Sequence, residues 1–410
     1  MMHRRRHTAP ILTLSLSLLA ILIGTLPDGV RSASAATRTP LDDEHYTTAR
    51  EVITKAITFL RSQQDEATGG WSIRPDQPCF PAVTGLVLNG MLMEPDIDQN
   101  DPAVARGLHF ILKYTQDDGG IYDRILPNYN TAITISALAR VSLPEAAEAV
   151  LKGQDYLKSI QWDGQPDPGG TTVDTTHPFY GGAGYGSHSR PDNSNLHFML
   201  QALHDSGLDC NDPAFQRAVV FLQRTQMLDE VNDMPYADGS TQGGFIYATS
   251  TDADHIGEGE SKAGTIEETL GDGATVSRLR CYGSMTYAGF KSYVYANLDR
   301  NDTRVQAAYD WIRRNYTLDE NPGVGLQGYY YYLMVFSRAL DAWGSSTITP
   351  LNPDGTPAAE PRDWANDLID KLAQLQNDDG SFTNDTDRWL EGDPVLVTAY
   401  AVIALQHAID

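Results

Sequence analysis

Two kinds of apolar segment alternate along this chain. In the first kind the apolar residues recur at helical spacing on one face: in "AREVITKAITFLRSQ", Ala49, Val52, Ile53, Ala56, Phe59 and Leu60 fall on a single side. Related amphipathic segments are "AVARGLHFILKYTQ", "AVLKGQDYLKSIQ", "AFQRAVVFLQRTQ", "RVQAAYDWIRRNY" and "WANDLIDKLAQLQ". Three of these open on related tripeptides, Asn100-Asp101-Pro102, Asn211-Asp212-Pro213 and Asn301-Asp302-Thr303. There Asp is placed to cap the helix, and Pro twice fills the first helical position. The second kind is apolar around much more of its circumference: "PAVTGLVLNGMLM", "NTAITISALARV", "NSNLHFMLQALHDS", "GSMTYAGFKSYVYANL", "GYYYYLMVFSRALDAWG" and "PVLVTAYAVIALQHA". A helix without a clean polar face is surrounded by protein.

Six amphipathic helices alternating with six buried ones predict an all-α fold, an (α/α)6 toroid in which six helix hairpins make a double ring. Neither ring buries its apolar surface alone, and closure end to end leaves no terminal repeat in need of a polar cap. The spacing is broken once. Residues 229–280 are rich in Gly, Asp and Glu and hold two strand-like stretches, "GGFIYATS" and "GATVSRL", so a small β-containing insertion is expected there. At a ring mouth such an insertion is either a lid or a decorative hairpin.

The links after several amphipathic helices repeat too: Gln64 to Gly69-Gly70-Trp71, Gln116 to Gly119-Gly120 and Tyr122, Gln161 to Gly169-Gly170, and Gln376 to Gly380 and Phe382. Gly permits a tight helix exit, the Gln amide can satisfy carbonyls at the helix end, and the aromatic packs on the next repeat. Acidic pairs beside the glycines read as solvated turns rather than calcium sites. These links resemble the glutamine-to-tryptophan repeats of squalene–hopene cyclases and the glycine-rich turns of protein prenyltransferase β subunits. "GGFIYA", "GESKAG", "YGSMTYAGFKS" and "GYYYYLMVFSRALDAWG" resemble exported prenyltransferase/squalene-oxidase-repeat proteins. The resemblance spans nearly all of the chain after its N-terminus and implies a terpenoid-cyclase-type toroid.

The ends refine the picture. Arg4 to Arg6, an apolar run from Ile11 to Leu26 and the small residues Ala33-Ser34-Ala35 read as a cleaved signal peptide over residues 1–35. A linker over 36–44 and the toroid over 45–410 follow, and the protein is expected to be secreted or periplasmic. No other stretch is long and apolar enough for a membrane span after cleavage. The chain has 30 Lys and Arg against 54 Asp and Glu, a net charge of −24, and losing four Arg and one Asp with residues 1–35 takes it to −27. That charge repels nucleic acid and anionic polymers. The three cysteines, Cys79, Cys210 and Cys281, are too few and scattered for a disulfide framework.

The chemistry is less legible. Alkene-protonating cyclases carry D-x-D-D-T-A. The framework positions Thr131-Ala132 and Thr398-Ala399 are preceded here by Pro127-Asn128-Tyr129-Asn130 and Pro394-Val395-Leu396-Val397, with no carboxylate. Asp393 stands one position further out, where helix capping explains it. Prenyltransferases hold zinc through Asp-x-Cys and a distant His, but Leu279 precedes Cys281 by two, so no metal site and no cofactor are expected.

What remains is a polar constellation before and at the start of the third buried helix, Asp174, His177, His188, Asp192 and His197, as candidate catalytic residues. Against this, Asp192 reads equally as a cap and His197 as a core histidine. Tyr180, Tyr185, Tyr282, Tyr329, Tyr330 and Tyr400 are candidate ligand-binding aromatics, although consecutive tyrosines cannot share one helix face. Three functions stay open: binding or transformation of a hydrophobic, isoprenoid-type small molecule, a non-catalytic scaffold, and a carbohydrate-active toroid enzyme. The oligomeric state is not specified.

Overall fold

The computed structural model describes residues 38–74, 77–271 and 273–410, and residues from Thr37 to Asp410 form one unit. The expected signal peptide lies outside the described residues. Among the described residues no helix is long and apolar enough to cross a membrane.

Among the described residues, twelve α-helices make up the unit. The amphipathic segments are α1 (Asp43–Ser62), α3 (Pro102–Leu112), α5 (Pro144–Ser159), α7 (Pro213–Thr225), α9 (Thr303–Arg314) and α11 (Trp364–Leu375). The buried segments are α2 (Pro81–Met91), α4 (Pro127–Leu138), α6 (Asn193–Asp205), α8 (Gly283–Tyr295), α10 (Tyr329–Trp343) and α12 (Pro394–Ile409). The contrast in burial follows the patterning. In α9 only Val305, Ala308, Trp311 and Ile312 are buried, one stripe of a helix, whereas α6 is buried at every residue from Asn193 to Leu203.

Local chemistry starts the helices. Asp101, Asp212 and Asp302 accept hydrogen bonds from the first-turn N–H groups of α3, α7 and α9, and Asp42 and Asp363 do the same for α1 and α11. Because Asp42 is the cap, α1 begins at Asp43, two residues inside the segment expected as linker.

The even-numbered helices pack in succession, α2 on α4, α4 on α6, α6 on α8, α8 on α10 and α10 on α12, and α12 packs back on α2. A repeated glutamine fixes how the odd-numbered helices follow one another. The Gln64 amide donates to Gly69 O in its own turn and to Ala103 O in α3, both at 2.8 Å. Gln161 donates to Gly181 O and to Ala214 O in α7, and Gln226 to Gly243 O and to Arg304 O in α9. Gln376 donates to Gly380 O and to Val52 O, which returns the chain to α1. The amide thus ties one helix exit to the next amphipathic helix, rather than capping carbonyls of its own helix end. The turn glycines must be glycine: at Gly243 (φ +83°) a Cβ would stand 2.6 Å from Ala307 O.

Two expectations shift. The glycine partner of Gln161 is Gly181, because residues 163–180 form an excursion containing Gly169-Gly170. Gln116 bonds locally, to Tyr114 O and Tyr122 O. The segment 229–280 contains the repeat turn Gly243-Gly244 and two antiparallel ribbons, β1 (Ala248–Ser250) with β2 (Ile256–Glu260) and β3 (Thr265–Thr269) with β4 (Thr275–Leu279). A third ribbon, β5 (Thr347–Ile348) with β6 (Arg362–Asp363), precedes α11.

Candidate functional site

The even-numbered helices all present residues from their first two turns to one cavity of about 580 Å3. Ala82, Val83 and Leu86 come from α2, Tyr129, Asn130 and Ile133 from α4, and Ser194 and Phe198 from α6. Ser284 and Met285 of α8, Tyr331 of α10 and Leu396 and Tyr400 of α12 complete the wall. Loops before these helices add Phe80, Tyr185, Tyr247 and Tyr282. The volume and the aromatic, mainly apolar lining are those of a small-molecule site.

Two loops carry the cavity's outer rim. Ile125 and Leu126 precede α4, Trp389 and Leu390 precede α12, and all four are 43–50% exposed. Leu126, Trp389 and Leu390 hold left-handed backbone (φ +48°, +59° and +68°), which bulky residues rarely adopt. Such strain persists only where surrounding contacts impose it. One of those contacts is Trp389 against Gly328, where a Cβ would meet the indole at 2.8 Å.

Behind Trp389 and Leu390 stands Glu391, the one carboxylate among the described residues of the cavity lining. The chain enters α10 through Gly328, whose own cap position offers no side chain, so Glu391 supplies the acceptor for the orphan N–H groups. Tyr331 N donates to its Oε1 at 2.7 Å, while Tyr330 N (3.1 Å) and the Asn384 amide (2.7 Å) donate to its Oε2. Burial pushes the Glu391 carboxyl up to about 7, and the N–H groups of Tyr331, Asn384, Tyr330 and Tyr329 hold it from rising further.

A second carboxylate reaches the wall indirectly. Asp192 is fully buried as the cap of α6, accepting from Asn195 N (2.9 Å), the Asn195 amide (2.9 Å) and Ser194 Oγ (3.0 Å). Ser194 Oγ in turn meets the Tyr129 hydroxyl at 2.6 Å, so a hydrogen-bonded chain runs from the cavity wall to Asp192. Burial raises the Asp192 carboxyl despite those donors and nearby Arg190.

The structure divides the residues singled out from sequence. Tyr185, Tyr282 and Tyr400 line the cavity, and Asp192 stands one hydrogen bond behind it. His197 adjoins it on α6, packed against the Phe198 and Tyr331 rings, with neither ring nitrogen hydrogen-bonded. Burial, with Lys291 and Arg338 nearby, holds that imidazole well below its ordinary value.

Others lie away from the cavity. Asp174 closes an exposed turn on Thr176. His177 bonds Asp167 at 3.1 Å and accepts from Phe179 N. Tyr180 packs on the small cluster of Trp162, Val173 and Phe179, and His188 is exposed with its edge on Trp162. Tyr329 donates its hydroxyl to Leu318 O, and Tyr330 packs on Phe382. It is Tyr331, between the stripes those two occupy, that faces the cavity.

Sequence reasoning passed over Tyr129, Phe198, Tyr247, Trp389 and Glu391, and among the consecutive tyrosines it singled out Tyr329 and Tyr330 rather than Tyr331. The one available signal was the framework position itself, since Tyr129 lies within "NYNTA". The framework threonines have a structural task. Thr131 and Thr398 accept from Ile121 N and Phe382 N at 2.9 Å, as Thr84 does from Trp71 N. Asp393 caps α12 through Val395 N and Leu396 N. Cys281 is buried, with its thiol pushed well up by burial, and His407 bonds Asp341 instead of approaching it. A second, polar pocket of about 460 Å3 lies between the loop after α9 and α11, but its Arg362 and Lys371 are already paired with Asp367 and Asp319.

The family model of the squalene-hopene cyclase C-terminal domain matches residues 74–249, from the rim of this cavity through α6 to β1. The chain is terpenoid-cyclase-like. A D-mannose isomerase structure covers 90% of this terpenoid-cyclase-like chain and 99% of its own at 10% identity and a TM-score of 0.55, a likeness of fold alone. A variant of the type II terpene cyclase MstE from Scytonema, in complex with geranylgeranyl dihydroxybenzoate, matches at 12% identity and TM-score 0.48 over 90% of this chain and 99% of that one. A protein from Actinoplanes matches at 14% identity and TM-score 0.44 over 88% and 100%. No curated protein matches the sequence.

Proposed function

We propose that the twelve helices close as six hairpins into the (α/α)6 double ring, and that the protein binds a hydrophobic, isoprenoid-type ligand at its centre, outside the cytoplasm after loss of residues 1–35. The observation that carries this reading is the cavity itself, to which every even-numbered helix contributes and whose lining is aliphatic and aromatic apart from a few polar groups. The return of α12 onto α2 and of Gln376 onto α1 supports the closed ring. A scaffold needs no such space, and a glycan site needs an open polar groove. Arg190, half-buried, is engaged by Glu260 and by Ser250 O.

The test is incubation of the purified protein with cell-envelope lipid extract, followed by mass spectrometry of what is retained or altered. Retention of apolar species by the wild type, lost in the cavity-filling variant Ala82→Phe, is the expected result. Equal retention by both removes the proposal. The N-terminal residue of the exported protein, read by the same instrument, is expected to be Ala36.

A further inference from the structure

We infer that the ligand of this cavity is a neutral amphiphile whose hydroxyl group donates a hydrogen bond to Glu391, with its apolar body against the rings of Tyr331, Tyr400 and Phe198. This rests on the cavity reading above and names the head group that the site selects.

A carboxylate has about four acceptor positions, and the hydrogen bonds to Glu391 fill two on Oε2 and one on Oε1. The Tyr329 N–H also acts on the carboxyl, so Oε1 has one short bond, from Tyr331 N, on a group that lines the cavity and is only 1% exposed. A buried carboxylate in an apolar wall is costly, and a further donor from the ligand lowers that cost.

Three head groups compete for the position. An ammonium would lose its hydration in an apolar chamber, and the six helix starts converging there point their positive ends at it. A carboxylate head would face Glu391 at close range. A hydroxyl donates without bringing charge. The other titratable groups around Glu391 do not supply a rival head-group site. Tyr330 and Tyr331 on α10 and Tyr400 on α12 are all held protonated by burial, and Asp385 and Arg388 share its own loop. Arg338 stands seven residues beyond Tyr331 on α10, about 10 Å deeper, and is not part of the lining.

The experiment is a displacement assay on the whole protein, with N-phenyl-1-naphthylamine as the reporter. Its competitors are farnesol, farnesyl methyl ether, farnesylamine and farnesoate at pH 8.5, where Glu391 is ionised. Farnesol is expected to bind about ten- to a hundredfold more tightly than its methyl ether, which has the same body and no donor, as for a hydrogen bond to a charged group. Farnesylamine and farnesoate are expected to trail farnesol. In Glu391→Gln the gap between alcohol and ether narrows to a few-fold. Should that variant fold poorly, the wild type at pH 5.5 serves instead, because a neutral carboxyl gives up the charge-assisted bond and the same gap shrinks. Equal binding of alcohol and ether by the wild type, tighter binding of the amine or acid, or a gap unchanged by both Glu391→Gln and low pH overturns the inference while leaving the cavity as an apolar site. If none of the four displaces the reporter, the cavity reading falls as well.

Discussion

The two ends of the even-numbered helices are built in opposite ways. At their N-terminal ends the side chains around the cavity are mainly aliphatic or aromatic and stand back to leave it open. In their last two turns the same helices bring together buried polar and charged groups. Lys291 of α8 donates to Gln201 of α6, and Gln201 donates in turn to Asp205 (2.6 Å) and to the Tyr295 hydroxyl (3.1 Å). Gln406 of α12 bonds Glu94, which also pairs with Arg50 on α1, and His407 bonds Asp341 of α10 at 2.7 Å. Cations near helix C-termini suit the helix dipole, and a connected network fixes the mutual rotation of helices that have no polar face to orient them. Registry is thus held at one end, which frees the other end to be open.

The two buried carboxyls show the contrast most sharply. Burial alone would raise Asp205, but the His204 ring, Arg338, Arg140 and Gln201 pull it far below the usual carboxylate range. Glu391 has no cation of this kind and is raised to about 7. Asp205→Asn is therefore expected to cost about 4 kcal/mol, because it removes the negative charge that offsets the buried Arg338 guanidinium. Urea unfolding at pH 7 measures it as a lowered midpoint with an unchanged slope. A loss under 1 kcal/mol would mean that the far end holds no registry.

Second in size is a pH effect of opposite sign at the two ends. Asp205, with its depressed folded value, stabilises the protein above the ordinary carboxylate range, and that contribution is lost as pH falls through its folded value. Glu391, with its raised folded value, favours the folded state while protonated, so its contribution declines as pH rises from about 4.5 to about 7. The shift corresponds to about 3 kcal/mol at full ionisation. Glu391→Gln does not ionise, so its stability relative to wild type is expected to climb by about that much between pH 5 and pH 8. A flat difference across that interval would place Glu391 in water rather than in the cavity wall.

How much of this was legible in the sequence depended on whether the deciding contacts were local. Helix faces, Asp caps and the Gln-to-Gly turns are short-range events, and Asn100-Asp101-Pro102 announces α3 without any knowledge of the rest. The phase of a helix buried all round is not written locally, which is why Tyr331 rather than Tyr329 or Tyr330 faces the cavity. Glu391 was invisible for a related reason: the N–H groups it caps lie 60 and 61 residues earlier, and only the packing of α10 against α12 brings them together. Conversely, Asp174, His177 and His188 drew attention because polar residues clustered in sequence, whereas Asp174 closes its own turn, His177 bonds Asp167 and His188 packs on Trp162. Asp192 was read two ways, as acid or as cap. The cap is seen directly, and the chain through Ser194 to Tyr129 shows how a cap can also touch the cavity.

The smallest expected effect tests whether the open end is open by design. Ala82 lies in the first turn of α2, is half-buried and borders the cavity. Its N–H is engaged by Asn130 Oδ1 at 2.8 Å, which a larger side chain does not disturb. Replacing it with Leu adds apolar atoms that point into existing space, so stability is expected to rise slightly, by about 0.5 kcal/mol, as cavity filling generally allows. The same substitution removes ligand room, and affinity for a neutral fluorescent reporter is expected to fall about tenfold. Ala339→Leu supplies the matching change at the far end, where Ala339 is fully buried one residue past Arg338. With no space to receive it, overpacking is expected to cost about 1–3 kcal/mol and to leave reporter affinity unchanged. If Ala82→Leu were as destabilising as Ala339→Leu, the cavity would be a packing compromise that closes around its own side chains, and the distinction between a registering end and a receiving end would dissolve.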